Sequence, residues 1–301
     1  MPNKKILKED LEKALGKIYS SALPIPDISY YEFDQEEQRS EINNIRDYVK
    51  LNQAKLVRSG PNRETAWGEF WNDTLKTFEE SNDTILLEPA YIKAHSIYRL
   101  SGNYVAASGD FERKLYEYIR QSIIIKLLSG FTTIHDLGAG SCFNSLAFSK
   151  SLPESNIVAY DWAPATVKIA DILAQKHNLN ITGSLYNFYQ SNLKFDSNDL
   201  VITTCALEQL GDNWISFLNN MLTAKPKRVV HLEPIYERYN SLSEFDIIAR
   251  EYHKLRNYLI GYYPMLKKLE QEDKIRIICD HRTEIGSRFH ECYTILAWEP
   301  K

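Results

Sequence analysis

The stretch that decides the fold is TTIHDLGAGSCFNS, residues 132–145. Its first part is β-branched and apolar and ends in an acidic residue, Asp136. Two glycines spaced by one residue follow, Gly138 and Gly140, and then a run with helical character. Glycine tolerates positive φ, and without a Cβ it lets a ligand approach the backbone. A strand, a glycine turn and a helix in that order place the turn at the carboxyl edge of the strand. In an open parallel sheet that edge is where ligands bind. A dinucleotide loop would read G-x-G-x-x-G and present a bare helix N-terminus to a pyrophosphate. Here the third position is Phe143, whose ring argues against close packing of a pyrophosphate.

Outward from this turn the chain alternates. Strands are expected at 132–138, 156–162, 182–189, 199–207 and 227–234, with helices between them at 142–152, 164–178 and 213–224. This rhythm predicts an α/β fold, a doubly wound sheet buried on both faces. Residues 274–286 and 291–300 are two β-runs joined by a short polar turn, which predicts an antiparallel hairpin. A helical insert, about 235–272, precedes it. Ahead of residue 130 the pattern is helical, with apolar residues at helical spacing in 8–23, 34–56, 63–80 and 110–128. Residues 1–115 are read as a helical lid or substrate region, and 116–301 as the main domain.

Bulk properties narrow the partners. The chain has 301 residues, 44% of them hydrophobic, and a formal net charge of −4. The charge opposes nucleic acid as a partner. The most apolar segment, SIIIKLL, is too short to span a bilayer and is broken by Lys126, so no membrane partner is expected. The four cysteines (142, 205, 279, 292) include no C-x-x-C pair, and no metal site is expected. A soluble cytoplasmic protein is the plain reading, with self-association left open.

The second strand ends in AYDWAP, which puts Asp161 21 residues past Gly140. A carboxylate at that strand end suits two adjacent ribose hydroxyls, and Trp162 beside it suits an adenine face. Asp136, Gly138, Gly140 and Asp161 together resemble the cofactor site of class I S-adenosylmethionine-dependent methyltransferases. The resemblance covers about 130–301 and implies a seven-stranded, Rossmann-like sheet whose terminal hairpin inserts an antiparallel seventh strand. It implies S-adenosylmethionine as cofactor, with Asp136 near its amino-acid end, the glycines under its ribose and Asp161 on the ribose hydroxyls. The sequence departs from the family at two places. Cys142 stands where a third glycine is usual, and QSNL replaces the usual acidic contact to adenine, so Ser191 or Asn192 would supply that oxygen.

Methyl transfer from a sulfonium needs alignment and exclusion of water more than it needs a fixed catalytic motif. A base is required only if the acceptor arrives as a neutral hydroxyl. The acceptor is expected above the fourth and fifth strands. Glu208 and Gln209 leave the fourth, and His231, Glu233 and Tyr236 lie at the end of the fifth. Glu233, His231 and Tyr236 are the catalytic candidates, although His231 reads first as a core histidine inside a buried strand. Gln209, Arg250 and Arg256 are the candidates for substrate binding. Tyrosine-rich helices, in the insert and in the N-terminal region, would wall off a small polar acceptor.

The expected activity is therefore methylation of a small molecule. The LEPIYE context and the aromatic insert also loosely resemble methyltransferases of bacterial surface polysaccharide (capsule) biosynthesis, including the O-methyl phosphoramidate type. That would make the acceptor an oxygen of a sugar, phosphate or phosphoramidate. A nucleic-acid methyltransferase is opposed by the acidic charge and by TCALEQL after the fourth strand, where an N/D-P-P-Y/F motif would stand. A nicotinamide-dependent oxidoreductase is disfavoured by Phe143 and the hairpin. A catalytically silent protein that binds the cofactor remains an alternative.

Overall fold

The computed structural model describes residues 3–92, 96–189 and 193–301. Seven strands form the main sheet: β5 (Thr133–Leu137), β6 (Asn156–Asp161), β7 (Ile181–Leu185), β8 (Asp199–Thr204), β9 (Arg228–Glu233), β10 (Ile275–His281) and β12 (Thr294–Pro300). Their spatial order is β7-β6-β5-β8-β9-β12-β10. The first five are parallel, with Thr133 of β5 opposite both Asn156 and Asp199. β12 then enters antiparallel between β9 and β10, Thr294 opposite Glu233 and Ile295 opposite His281. The expected α/β class and the terminal hairpin are both present. The chain leaves β5 towards β6 and β7 and returns on its other side as β8. The cleft between the carboxyl ends of β5 and β8 is therefore the strand-order switch point.

Period-two alternation explains why both faces are covered. On β8, Leu200 and Ile202 face one core with α5 (Phe143–Ser151) and α6 (Pro164–His177), while Val201 faces the other. That second core is filled by Phe217, Leu218 and Met221 of α7 (Trp214–Ala224) and by Leu266 and Leu269 of α9 (Tyr262–Gln271). On β12, Ile295 and Ala297 point one way and Leu296 and Trp298 the other.

The N-terminal region departs from the helical expectation. It does hold α1 (Lys8–Leu15), α2 (Gln35–Asn52), α3 (Glu64–Ser81) and α4 (Phe111–Ile123), which runs through residue 115. It also holds β1 (Lys4–Lys5), β2 (Ser29–Glu32), β3 (Ile97–Leu100) and β4 (Asn103–Ala107). These form an antiparallel sheet, β1-β2-β4-β3-β11, completed by β11 (Ile285–Ser287) from the C-terminal hairpin. β3 and β4 are joined through Ser101 and Gly102, at φ 51 and 82. Two positive φ values are what a tight hairpin turn demands.

α8 (Glu244–Arg256) and α9 occupy the expected insert. α8 is held to the small sheet by a buried quartet of charges. Arg99 of β3 donates to Asp246 at 3.0 Å, and Arg282 donates to Asp246 at 2.7 Å and to Glu291 at 2.6 Å. Arg99 also stacks on Phe245, 3.4 Å from the ring centroid. Among the described residues no helix is long and apolar enough to cross a membrane.

Candidate functional site

The glycine turn is built as its sequence requires. Gly138 and Gly140 have φ of +80 and +53. The N–H groups of Gly138 and Ala139 both donate to the Tyr160 carbonyl, at 2.8 and 2.9 Å, which ties the turn to β6. A Cβ on Gly138 would come within 2.4 Å of the Ala206 Cβ. Cys142, in the place of the third glycine, still adopts the glycine-like φ of 60 at the start of α5, fully buried. It departs from the pattern in side chain but not in backbone.

Asp161 closes the turn from the other side. One carboxylate oxygen accepts the Gly140 N–H at 2.9 Å and the other accepts the Ala163 N–H at 3.0 Å. Burial pushes its pKa up to about 6, against the pull of these backbone N–H groups. Asp136 is not among the cleft-lining residues. Its carboxylate takes the Ser145 hydroxyl at 2.5 Å inside the first turn of α5, and burial raises it to about 7.

The cleft holds about 620 Å³ of space counted out to its mouth. Its floor is Gly138, Asp161 and the β8 end, Thr204 to Ala206, with Gln209 and Leu210 beyond. Trp162, Tyr186, Phe188 and Tyr189 make one wall, Trp162 lying nearly parallel to Tyr189 at 6.5 Å. Trp67, Trp71 and Tyr91 cover it from the N-terminal region. The two tryptophans are stacked at 5.7 Å, and Trp71 sits where a Gly140 Cβ would lie, 2.5 Å from the nearest ring atom. Ser191 and Asn192, the expected adenine contacts, lie outside the described residues.

The catalytic candidates from β9 do not meet the expectation that they face the acceptor. Glu233 is fully buried. One of its oxygens accepts the N–H groups of Ala206 and Leu207 at 3.0 and 2.9 Å, and the other accepts that of Glu208 at 3.2 Å. It therefore caps the turn after β8. Burial raises its pKa to about 7, opposed by those same bonds. His231 is also fully buried, its Nδ1 2.9 Å from the Thr203 hydroxyl and its Nε2 2.9 Å from the Tyr262 hydroxyl. Trp298 donates to the same Nε2 at 3.2 Å. An indole can only donate, so the proton belongs on Nδ1 and the ring is neutral. Burial lowers its pKa to about 3. His231 is a satisfied core histidine.

The substrate candidates divide. Gln209 lines the cleft, accepts the Ser59 hydroxyl at 2.8 Å and donates to Glu208 at 2.7 Å. Arg250 covers the buried ring of Tyr236 at 4.3 Å and donates to the Tyr239 carbonyl, and Arg256 lies over Tyr258 at 5.2 Å. Neither arginine, nor Tyr236, is among the cleft-lining residues.

Cys205 is a cleft residue that the sequence did not single out. Cys205 lines the cleft with φ +49, a strained backbone for a residue with a side chain. Its position directly after the buried run of β8 was the available signal. Tyr91, one of the N-terminal aromatics expected to wall off the acceptor, reaches the cleft from a short helical turn, Ala90–Ile92.

No family model matches the sequence, and no curated protein matches it. Among solved structures the chain is similar to an N,N-8-amino-8-demethyl-D-riboflavin dimethyltransferase from Streptomyces davawensis. The identity is 14% and the TM-score 0.44, over 64% of this chain and 57% of that one. It is similar to a magnesium protoporphyrin IX methyltransferase from Synechocystis PCC 6803 at 14% identity and TM-score 0.47, over 62% and 84%. A human N-acetylserotonin methyltransferase follows at 15% and 0.45, over 62% and 53%. The chain thus spans little more than half the length of the first and third. The fold assignment rests on this chain's own strand order and not on these likenesses.

Proposed function

We propose that this chain is an enzyme, an S-adenosylmethionine-dependent methyltransferase acting on a small acceptor. The observation that carries the reading is Asp161. It sits at the switch point of a sheet with one inserted antiparallel strand, hydrogen-bonded to the glycine turn and lining the cleft. Each of its oxygens holds one backbone N–H and keeps a lone pair for a ribose hydroxyl. Trp162 and Tyr189 offer an aromatic wall to the adenine. Bound there, the cofactor would supply a methyl group already activated on sulfur. The protein's share is to align the acceptor and keep water out. Trp67, Trp71 and Tyr91 are placed to do the second, and they have to part to admit the cofactor.

The resemblance to polysaccharide-modifying enzymes favoured a sugar, phosphate or phosphoramidate oxygen as acceptor. The cleft lining bears on that choice. Among the described residues it contains Thr204, Cys205 and Gln209 but no arginine or lysine, and Arg250 and Arg256 are engaged on tyrosine rings. An anionic acceptor would enter without a counter-charge. A neutral or cationic group fits better.

The test is to incubate the protein with methyl-labelled S-adenosylmethionine, separately with a small-molecule extract and with nucleic acid. Label in the low-molecular-weight fraction supports the reading. Label in nucleic acid contradicts it, and cofactor binding without any transfer identifies a silent binding protein.

A further inference from the structure

The helix that covers the cleft is unevenly held. α3 buries Trp71, Leu75 and Phe78 along one stripe. Past Trp71 it is anchored on α6. Phe78 is fully buried and lies nearly parallel to the His177 ring at 6.1 Å, and Lys176 donates to the Asn82 side chain at the helix end, at 2.8 Å. Ahead of Trp71 the apolar side chains are Ala66, which is exposed, and Trp67 and Phe70, which are only half-buried. Three further features weaken these first turns. The N-cap is Arg63, and among the described residues no side chain caps the helix, so its first backbone N–H groups lack that support. Gly68 stands in the second turn, where glycine is less favourable than alanine. A Cβ there would meet nothing within 4 Å, so packing does not call for its absence. Trp67 buries its indole N–H without a hydrogen-bond partner among the described residues, and an unmet donor is destabilising.

These same turns stand over the glycine loop. Trp67 lines the cleft and stacks on Trp71, which lies against Gly140. The part of the cover that has to leave is thus the part held least. The chain just before it is fixed. The Ser59 N–H donates to the Arg256 carbonyl at 2.7 Å, the Asn257 amide donates to the Ser59 carbonyl at 3.1 Å, and the Ser59 hydroxyl donates to Gln209 at 2.8 Å. Gly60 follows at φ +142, a backbone that side chains rarely allow. The weak segment therefore runs between two firm points, Ser59 on one side and Leu75 on the other. Segments with few buried contacts are the ones that open locally while the rest of a fold stays intact.

We propose that the first two turns of α3, residues 64–71, are a gate on the cofactor site that unwinds between Ser59 and Leu75 to admit the cofactor and rewinds over it. This rests on the methyltransferase reading and adds what limits entry, which is the unwinding of the gate and not the encounter of the cofactor with the cleft. Unwinding takes Trp67 off Trp71, and Trp71, freed of its stacked neighbour, leaves the Gly140 backbone bare. The rest of α3 keeps its place on α6, so the gate opens without undocking the N-terminal region.

The experiment is stopped-flow mixing of the full chain with S-adenosylhomocysteine, the demethylated cofactor. Tryptophan fluorescence follows it, since three of the five tryptophans line the cleft. At high ligand concentration the observed rate is expected to become independent of concentration, where it equals the opening rate. Gly68→Ala adds no contact and firms the helix. It should lower that plateau roughly two- to fivefold, the helical preference for alanine over glycine read as a rate. Trp67→Ala should raise it roughly two- to tenfold, the worth of one aromatic pair. A rate that stays proportional to concentration, or a plateau that Gly68→Ala leaves unchanged, overturns the inference while the methyltransferase reading stands. Failure of S-adenosylhomocysteine to bind at all, by calorimetry, would instead overturn that reading, and the inference with it. The wild-type plateau and Gly68→Ala decide the matter even if Trp67→Ala does not fold.

Discussion

Asp161 accepts the Gly140 N–H at 2.9 Å, joining the end of β6 to the turn after β5. The contact makes one carboxylate both a brace for the loop and part of the cleft floor. Asp161→Asn keeps the volume but sets an amide among backbone donors. It should weaken S-adenosylhomocysteine binding by roughly 1.5–3 kcal/mol, the scale of hydrogen bonds to charged groups. Titration calorimetry checks this, and unchanged affinity would place the ribose elsewhere.

Two glycines with similar backbones should respond differently to alanine. Gly102, φ +82, has open space where a Cβ would go, whereas Gly138, φ +80, would meet the Ala206 Cβ at 2.4 Å. Gly102→Ala should cost only the left-handed backbone, ~1–2 kcal/mol. Gly138→Ala should add an overpacking cost of roughly 1–3 kcal/mol and disturb the cleft floor. Chemical denaturation of both variants gives the comparison. Equal losses would mean that the β8 end yields freely.

The main sheet was legible because each strand is a short apolar run closed by a turn signal, and because Asp161 stands one α/β unit from Gly140. The small sheet was not. β3 and β4 are 4 and 5 residues long, and β11 comes from residues 285–287, so no local window contains the pairing. The SG pair at 101–102 is the one readable hint of the turn between β3 and β4. In the site, residue types were legible but directions were not. A carboxylate at the end of β9 could face the cleft or the β8 turn, and only the three unpaired N–H groups of that turn decide for Glu233. The ion pair of Arg99 is equally hidden from any local window, because its partner Asp246 lies 147 residues away in sequence.

The buried quartet of Arg99, Asp246, Arg282 and Glu291 should be sensitive to the loss of one member. Arg99 is fully buried, so Asp246→Ala leaves its charge with Glu291 alone, at 3.6 Å. Removing one partner of a buried pair costs about 3–5 kcal/mol. The variant should lose that much in denaturant titration, while Lys5→Ala, in an exposed pair with Asp27, should change stability by less than about 1 kcal/mol. Equal effects would show that water reaches the quartet.

The pH dependence of the ligand-free chain follows from its buried groups. In the folded state Glu208 is raised to about 8 and Glu112, Glu233 and Asp136 to about 7, all by burial. A raised carboxylate holds a proton that the unfolded chain has already released. Its contribution is complete below the unfolded value, about 4–4.5, and is lost as pH rises through 7 and 8. His231 and His253, lowered by burial to about 3, work the other way. Their contribution is complete above about 6.5 and is lost as pH falls towards 3. Thermal melts should therefore show stability falling from pH 6 to 8.5, and Glu208→Gln should flatten that slope. A rise over the same range would show these carboxylates to be ionised and compensated.

The most direct test of the account is calorimetric titration of the full chain with S-adenosylhomocysteine, beside NADH under the same conditions. The account predicts one-to-one binding of S-adenosylhomocysteine that Asp161→Asn weakens, and no heat from NADH. Binding of NADH with none of S-adenosylhomocysteine would contradict it.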